Sequence, residues 1–207
     1  MGDNLIINDA KVKKVITVLK YVTLTFSGIN PLQSLNAVPG EPIIPPFIGA
    51  QLGETLDTTI EYNLLYNWIY LDVPMPLLVP TKDATYEAEW CLIKVPKATL
   101  EIVCSSYGTQ DQIVSYIINS QYPLFIRAET WEGSILRNVS VKNNINVAVD
   151  STYNQYLTFD INGVSVIPGT QKNFIIKLSF YKDRICTKYL GFININASVF
   201  SSSGPGE

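Results

Sequence analysis

The chain has no histidine. That removes the commonest general base, the commonest metal ligand and the usual charge switch near neutral pH. Cysteine is scarce as well. Cys91, Cys104 and Cys186 are an odd number with no C-x-x-C spacing, which argues against zinc. One disulfide and buried free thiols both stay open. A cysteine nucleophile wants a neighbouring base, and no imidazole is there to serve.

Charge is the next shortage. Charged residues are 16% of the 207, against about 25% in an average soluble domain. Hydrophobic residues reach 47%. A monomer with so little charge exposes apolar surface, and such surface usually marks contact with other chains. The plainer alternative is a well-packed β domain with a Ser/Thr/Asn-rich exterior.

Net charge is −3, unevenly spread. From Lys20 to Lys82 no Lys or Arg intervenes, while Glu41, Glu54, Asp57, Glu61 and Asp72 make the stretch acidic. The first twenty residues carry Lys11, Lys13, Lys14 and Lys20 against Asp3 and Asp9. This lacks the basic face that a nucleic-acid binder needs, so specific nucleic-acid binding is not expected. No apolar run reaches membrane-spanning length. The start, MGDNLIINDAKVKK, has acidic residues where a signal peptide has positive charge, and no signal peptide is read there. Gly2 lacks the Ser or Thr at position 6 that myristoylation wants; Ile6 stands there.

What the chain does have is β-branched and aromatic density. Val12 to Phe26 reads as one long strand. From Ser27 to Thr55 the chain changes. Pro31, Pro39, Pro42, Pro45 and Pro46 leave no room for a central strand. A loop this long in a compact domain is usually functional or disordered. Its apolar members Ile43, Ile44, Phe47, Ile48 and Leu52 argue against disorder and are the candidate subunit-contact residues.

In the run TIEYNLLYNWIYLDVPMP, Ile60, Tyr62, Leu64, Tyr66, Trp68 and Tyr70 share one face of a strand. The opposite face is polar at its start and apolar at its end. A ligand platform and a core-plus-contact strand both fit; core and contact is the favoured reading, because tyrosine can bury its ring while its hydroxyl finds a partner. Tyr86 to Ile93 reads as a strand with Ala88 and Trp90 inward and Glu87 and Glu89 outward. In TQDQIVSYIINS, Thr109 and Gln112 make a capping-box pattern, which predicts a helix over Thr109–Ser120. Hairpins are expected around Glu132-Gly133, Asn162-Gly163 and Lys182-Asp183. The expected organisation is an N-terminal strand and proline-punctuated arm (1–56), a β-sandwich of jelly-roll type with one short helix (57–200), and a flexible tail (201–207).

The candidate chemistry is thin. Glu87 and Glu89 could serve a glycosidase, with Trp90 and Trp131 stacking on sugar. Period-two patterning instead puts both glutamates in solvent on a structural strand. Asp72 and Glu61 are no stronger. The glycines make no phosphate-loop spacing. Asn138-Val-Ser140 and Asn196-Ala-Ser198 match the glycosylation acceptor pattern. No catalytic residue, cofactor or metal is expected, and the chain does not read as an enzyme.

The strand series from Thr59 to Asn196, with late hairpins such as FDINGVSVI, resembles the single jelly-roll capsid or penton proteins of icosahedral viruses, including those infecting hot-spring archaea. The resemblance implies self-assembly into a homo-oligomer, contacts with other virion proteins, residence in the virion and no enzymatic activity. Two other classes stay open: a carbohydrate-binding or carbohydrate-cleaving β-sandwich, and a pilus or surface-layer subunit.

Overall fold

A computed structural model gives the fold. It describes residues 3–9, 12–18, 20–104, 114–142, 145–147, 153–159 and 169–201. Among these the chain forms sixteen strands and no helix. By hydrogen bonding they make a two-stranded hairpin, a nine-stranded mixed sheet and a five-stranded mixed sheet. The all-β expectation holds; the short helix does not. Val114–Ser120 is a strand, β10, paired over its whole length with Tyr153–Phe159. Ile118 and Ser120 are buried and Ile117 exposed, a period of two. The segment's Val and Ile residues gain more from a seven-residue ladder than from the cap at its start. Thr109 to Ile113 lie outside the described residues, as does the Asn162-Gly163 turn.

The chain divides into two compact units, Met1–Phe47 with Tyr66–Glu89, and Ile48–Leu65 with Trp90–Glu207. In the first, β1 (Asp3–Asp9) and β2 (Val12–Val18) pair with each other. The expected strand Val12 to Phe26 is therefore two strands. β3 (Val22–Ser27) starts afresh, antiparallel to β4 (Gln33–Ala37) and parallel to the start of β8 (Ala84–Pro96). β4 belongs to the proline-punctuated stretch and has β3 as its neighbour at the end of the sheet order, where a short strand fits.

The first unit's core is aromatic. Phe26 meets Trp68 edge-on, with ring centroids 4.9 Å apart, and lies 5.5 Å from Tyr86. Tyr86 also packs against Tyr70. Phe26 and Tyr86 are fully buried and Trp68 nearly so, beside Leu24. The Tyr86 hydroxyl is buried with no hydrogen-bond partner among the described residues. Burial, and then the neighbouring Tyr70, push its pKa above the ordinary tyrosine value.

In the second unit, β5 (Ala50–Thr55) pairs with the first half of β6 (Thr59–Tyr70). The end of β8 pairs with β10, which pairs with β14 (Tyr153–Phe159), and β13 (Ile145–Val147) follows. The five-stranded sheet runs in the order β12 (Ile135–Lys142), β11 (Phe125–Glu132), β15 (Gln171–Tyr181), β16 (Tyr189–Ser201), β9 (Leu100–Cys104). Its last pair is parallel and the others antiparallel. Phe174, Ile176, Leu178 and Phe180 point to the core from one face of β15. The opposite face carries the ions. Glu129 binds Arg127 and Lys177, and Lys177 sits over the Phe192 ring. At the strand end, Arg137 and then Lys172 hold the Glu132 carboxyl below its usual pKa.

The buried face of β8 changes along its length. Ala84 and Tyr86 are buried in the first unit, but Cys91, Ile93 and Val95 in the second. Strict alternation from Tyr86 places Trp90 inward and Cys91 outward; instead Trp90 is half-buried and Cys91 fully buried. On β6, Leu64 and Trp68 are buried, while Tyr62 and Tyr66 are half-covered. The hairpin at Glu132-Gly133 forms as expected. That at Lys182-Asp183 forms with a longer loop, because Asp183 accepts hydrogen bonds from the backbone N–H of Thr187 and Lys188 and from the Thr187 hydroxyl.

Candidate association surface

Proline decides how the arm is built. Pro42, Pro45 and Pro46 lack an N–H, so the segment cannot make a continuous ladder. Its remaining donors and acceptors are stitched to the loop after β7 (Val73–Pro74). The Gly40 N–H donates to the Val79 carbonyl at 2.9 Å, and the Val79 N–H to the Glu41 carbonyl at 2.8 Å. The Ile43 N–H donates to the Leu77 carbonyl at 2.9 Å, and Pro42 bridges to Leu78. Gly40 has φ +86°, which lets the chain turn into this contact. Of the stitched residues only Val79 is buried. The stretch from Gly40 to Ile43 is thus an ordered part of the first unit, held by backbone hydrogen bonds.

The side chains it leaves outside are large and apolar. Ile44 is 81% exposed, Phe47 66% and Leu77 83%. Leu78, Leu71 and Val73 are exposed too. Leu71 and Asp72 both have positive φ, at 49° and 61°, and join β6 to β7 as a tight hairpin turn. Asn and Gly suit that conformation; leucine pays roughly 1–2 kcal/mol for it. No cation lies between Lys20 and Lys82 to break the apolar surface, and Glu41 and Asp72 are its nearest acids in sequence.

The five contact candidates divide between the units. Ile43, Ile44 and Phe47 belong to the first, with Ile43 half-buried beneath its stitch; Ile48 and Leu52 belong to the second. There Ile48 is half-buried, its carbonyl accepting from Gln51 Nε2 at 3.1 Å. Leu52 is 67% exposed on β5, opposite Tyr62. The sequence reading of this segment missed Leu71, which comes from the β6–β7 turn, and Leu77 and Leu78, which come from the loop after β7. The PMPLLVP composition was the available signal.

The acidic candidates do not converge. Glu87 is exposed, while Glu89 accepts a 2.5 Å hydrogen bond from Asn67 Nδ2. Glu61 pairs with Lys94 at 2.8 Å in the second unit. Asp72 sits in its exposed turn. Cys91 and Cys186 are free thiols, the first buried. Among the described residues no cluster of three or more metal-ligating side chains forms, and no helix is long and apolar enough to cross a membrane. Compared with protein-family models, with curated proteins and with solved structures, the chain matches none of them.

Proposed function

We propose that the chain is a virion structural protein, a capsid or penton-type subunit that assembles with copies of itself and with other virion proteins. In this reading its two mixed sheets form a β-sandwich of jelly-roll type, with the parallel pairs β3–β8 and β9–β16 as departures from an all-antiparallel roll. The proline-punctuated segment works as a contact arm.

One observation carries the reading: the arm and the loop it is stitched to expose Ile44, Phe47, Leu77 and Leu78, and the β6–β7 turn of the same unit exposes Leu71. Water-facing side chains of this size cost about 1.5–3 kcal/mol each relative to burial. Protomer stability alone gives no reason to keep them. A neighbouring subunit does. Contact through neutral apolar groups also needs little charge, in keeping with the missing cations. Light scattering and electron microscopy of the intact, concentrated protein test the proposal. Uniform large particles support it, and a chain that stays monomeric overturns it.

A further inference from the structure

The five-stranded sheet carries a second feature, unrelated to the arm. On the face opposite the core, residues of adjacent strands line up in a row. Leu136, Trp131, Ile175 and Asn196 are consecutive cross-strand partners on β12, β11, β15 and β16. Directly opposed residues of antiparallel strands share a face. The row is therefore half-buried tryptophan, exposed isoleucine and exposed asparagine, side by side. Next to it opens a groove of about 480 Å³. That falls in the range of small-molecule sites, ~300–1,000 Å³.

The groove's walls are uncharged. Its lining includes Gln171, Asn173, Ile175 and Asn196, with Gly133 at one side. A side chain at Gly133 would meet nothing within 4 Å, so the turn leaves the space open. Gln171 Nε2 donates to Asn173 Oδ1 at 3.1 Å. That bond uses a donor of Gln171 and the acceptor of Asn173, so the Gln171 carbonyl and the Asn173 amino group take no part in it. The Asn196 side chain has no hydrogen-bond partner among the described residues. Each primary amide offers one acceptor and two donors. The neighbouring ions are already paired: Lys172 and Arg137 with Glu132, and Arg127 and Lys177, further along the same face, with Glu129.

This arrangement selects a chemistry. A phosphate or sulfate would want free cations, and an ammonium would want a free carboxylate; the lining has neither. A purely apolar ligand would leave three amides desolvated and unpaired. A neutral carbohydrate satisfies both halves. Its hydroxyls donate and accept to the amides, and its C–H face lies on Ile175 in the groove and reaches the adjoining Trp131, the cross-strand partner of Ile175 just outside the lining. We propose that this groove is a binding site for a neutral, non-sialylated, non-sulfated glycan. The site stands independently of assembly through the arm.

The test is binding of the intact protein to an array of neutral and anionic oligosaccharides, followed by titration of the retained glycans. A neutral glycan should be retained. The double variant Asn173→Ala/Asn196→Ala should weaken it by about tenfold or more, as expected for losing two or more neutral hydrogen bonds. Trp131→Ala should weaken it similarly, and Ile44→Glu in the arm should leave it unchanged. Circular dichroism and melting temperature show that each variant is folded. Because Trp131 is half-buried, Gly133→Asn, which fills the open side of the groove, provides a second way to block the site. Retention of anionic glycans only, no retention at millimolar glycan, or neutral binding that survives both Asn173→Ala/Asn196→Ala and Gly133→Asn would overturn the proposal.

Discussion

Gly191 lies against the backbone of Ala50 so closely that a Cβ on it would stand 2.7 Å from the Ala50 nitrogen and 3.0 Å from the Gly49 carbonyl carbon. Both partners belong to the second unit. Gly191 has φ +152°, in a region that L side chains rarely adopt. The contact seats the start of β5 against β16, and only glycine permits it. Gly191→Ala should therefore cost roughly 1–3 kcal/mol from overpacking and backbone strain. A thermal melt checks this: an unchanged melting temperature would mean that the two segments do not meet.

Trp68 anchors the first unit's aromatic core through its edge-on contact with Phe26. Trp68→Ala should cost about 3–5 kcal/mol, as for other large core deletions. Denaturant unfolding reads the loss directly.

Tyr86 makes a prediction of the opposite sign. Its hydroxyl is buried without a partner among the described residues, so it is desolvated and uncompensated. Tyr86→Phe should raise stability by ~1–3 kcal/mol. The group also sets a pH dependence. Its folded pKa is raised, by burial first and Tyr70 second, so the folded state holds its proton where the unfolded chain releases it. The related stability is fully present below the ordinary tyrosine value of about 10 and declines as pH rises beyond it. Unfolding of the wild type should thus be steeper above that pH than unfolding of Tyr86→Phe. Parallel pH profiles for the two would contradict the burial.

Leu71 separates the protomer from the assembly. Replacing it by Asn suits the positive φ and removes an exposed apolar side chain. Leu71→Asn should stabilise the isolated chain by roughly 1 kcal/mol while weakening association. A variant that is both more stable and equally associated would remove Leu71 from the contact.

How much of this was legible in the sequence depends on the segment. Period-two runs such as Phe174 to Phe180 signalled strands plainly, because alternate side chains enter the core. The Glu132-Gly133 hairpin was legible from its turn chemistry, Gly133 having φ +59°. Val114–Ser120 was misread, since a local cap at Thr109 says nothing of a distant partner strand at Tyr153–Phe159. The break between β2 and β3 was hidden inside an unbroken β-branched run. On β8 the change of buried face between Tyr86 and Cys91 carries no local mark. For the candidate surface, Ile44 and Phe47 could be picked from an apolar, proline-rich, cation-free stretch. That Leu77 and Leu78 lie beside them required the Gly40–Val79 and Ile43–Leu77 hydrogen bonds, which no spacing rule predicts.

The most direct test of the assembly claim is light scattering and electron microscopy of the intact chain beside the double variant Ile44→Glu/Leu77→Glu. Both positions are more than four-fifths exposed, so two charges there should leave circular dichroism and melting temperature unchanged. The account predicts uniform particles for the wild type and a folded, unassembled protomer for the variant. Particles of normal size from the variant, or a wild-type chain that stays monomeric at high concentration, would contradict it.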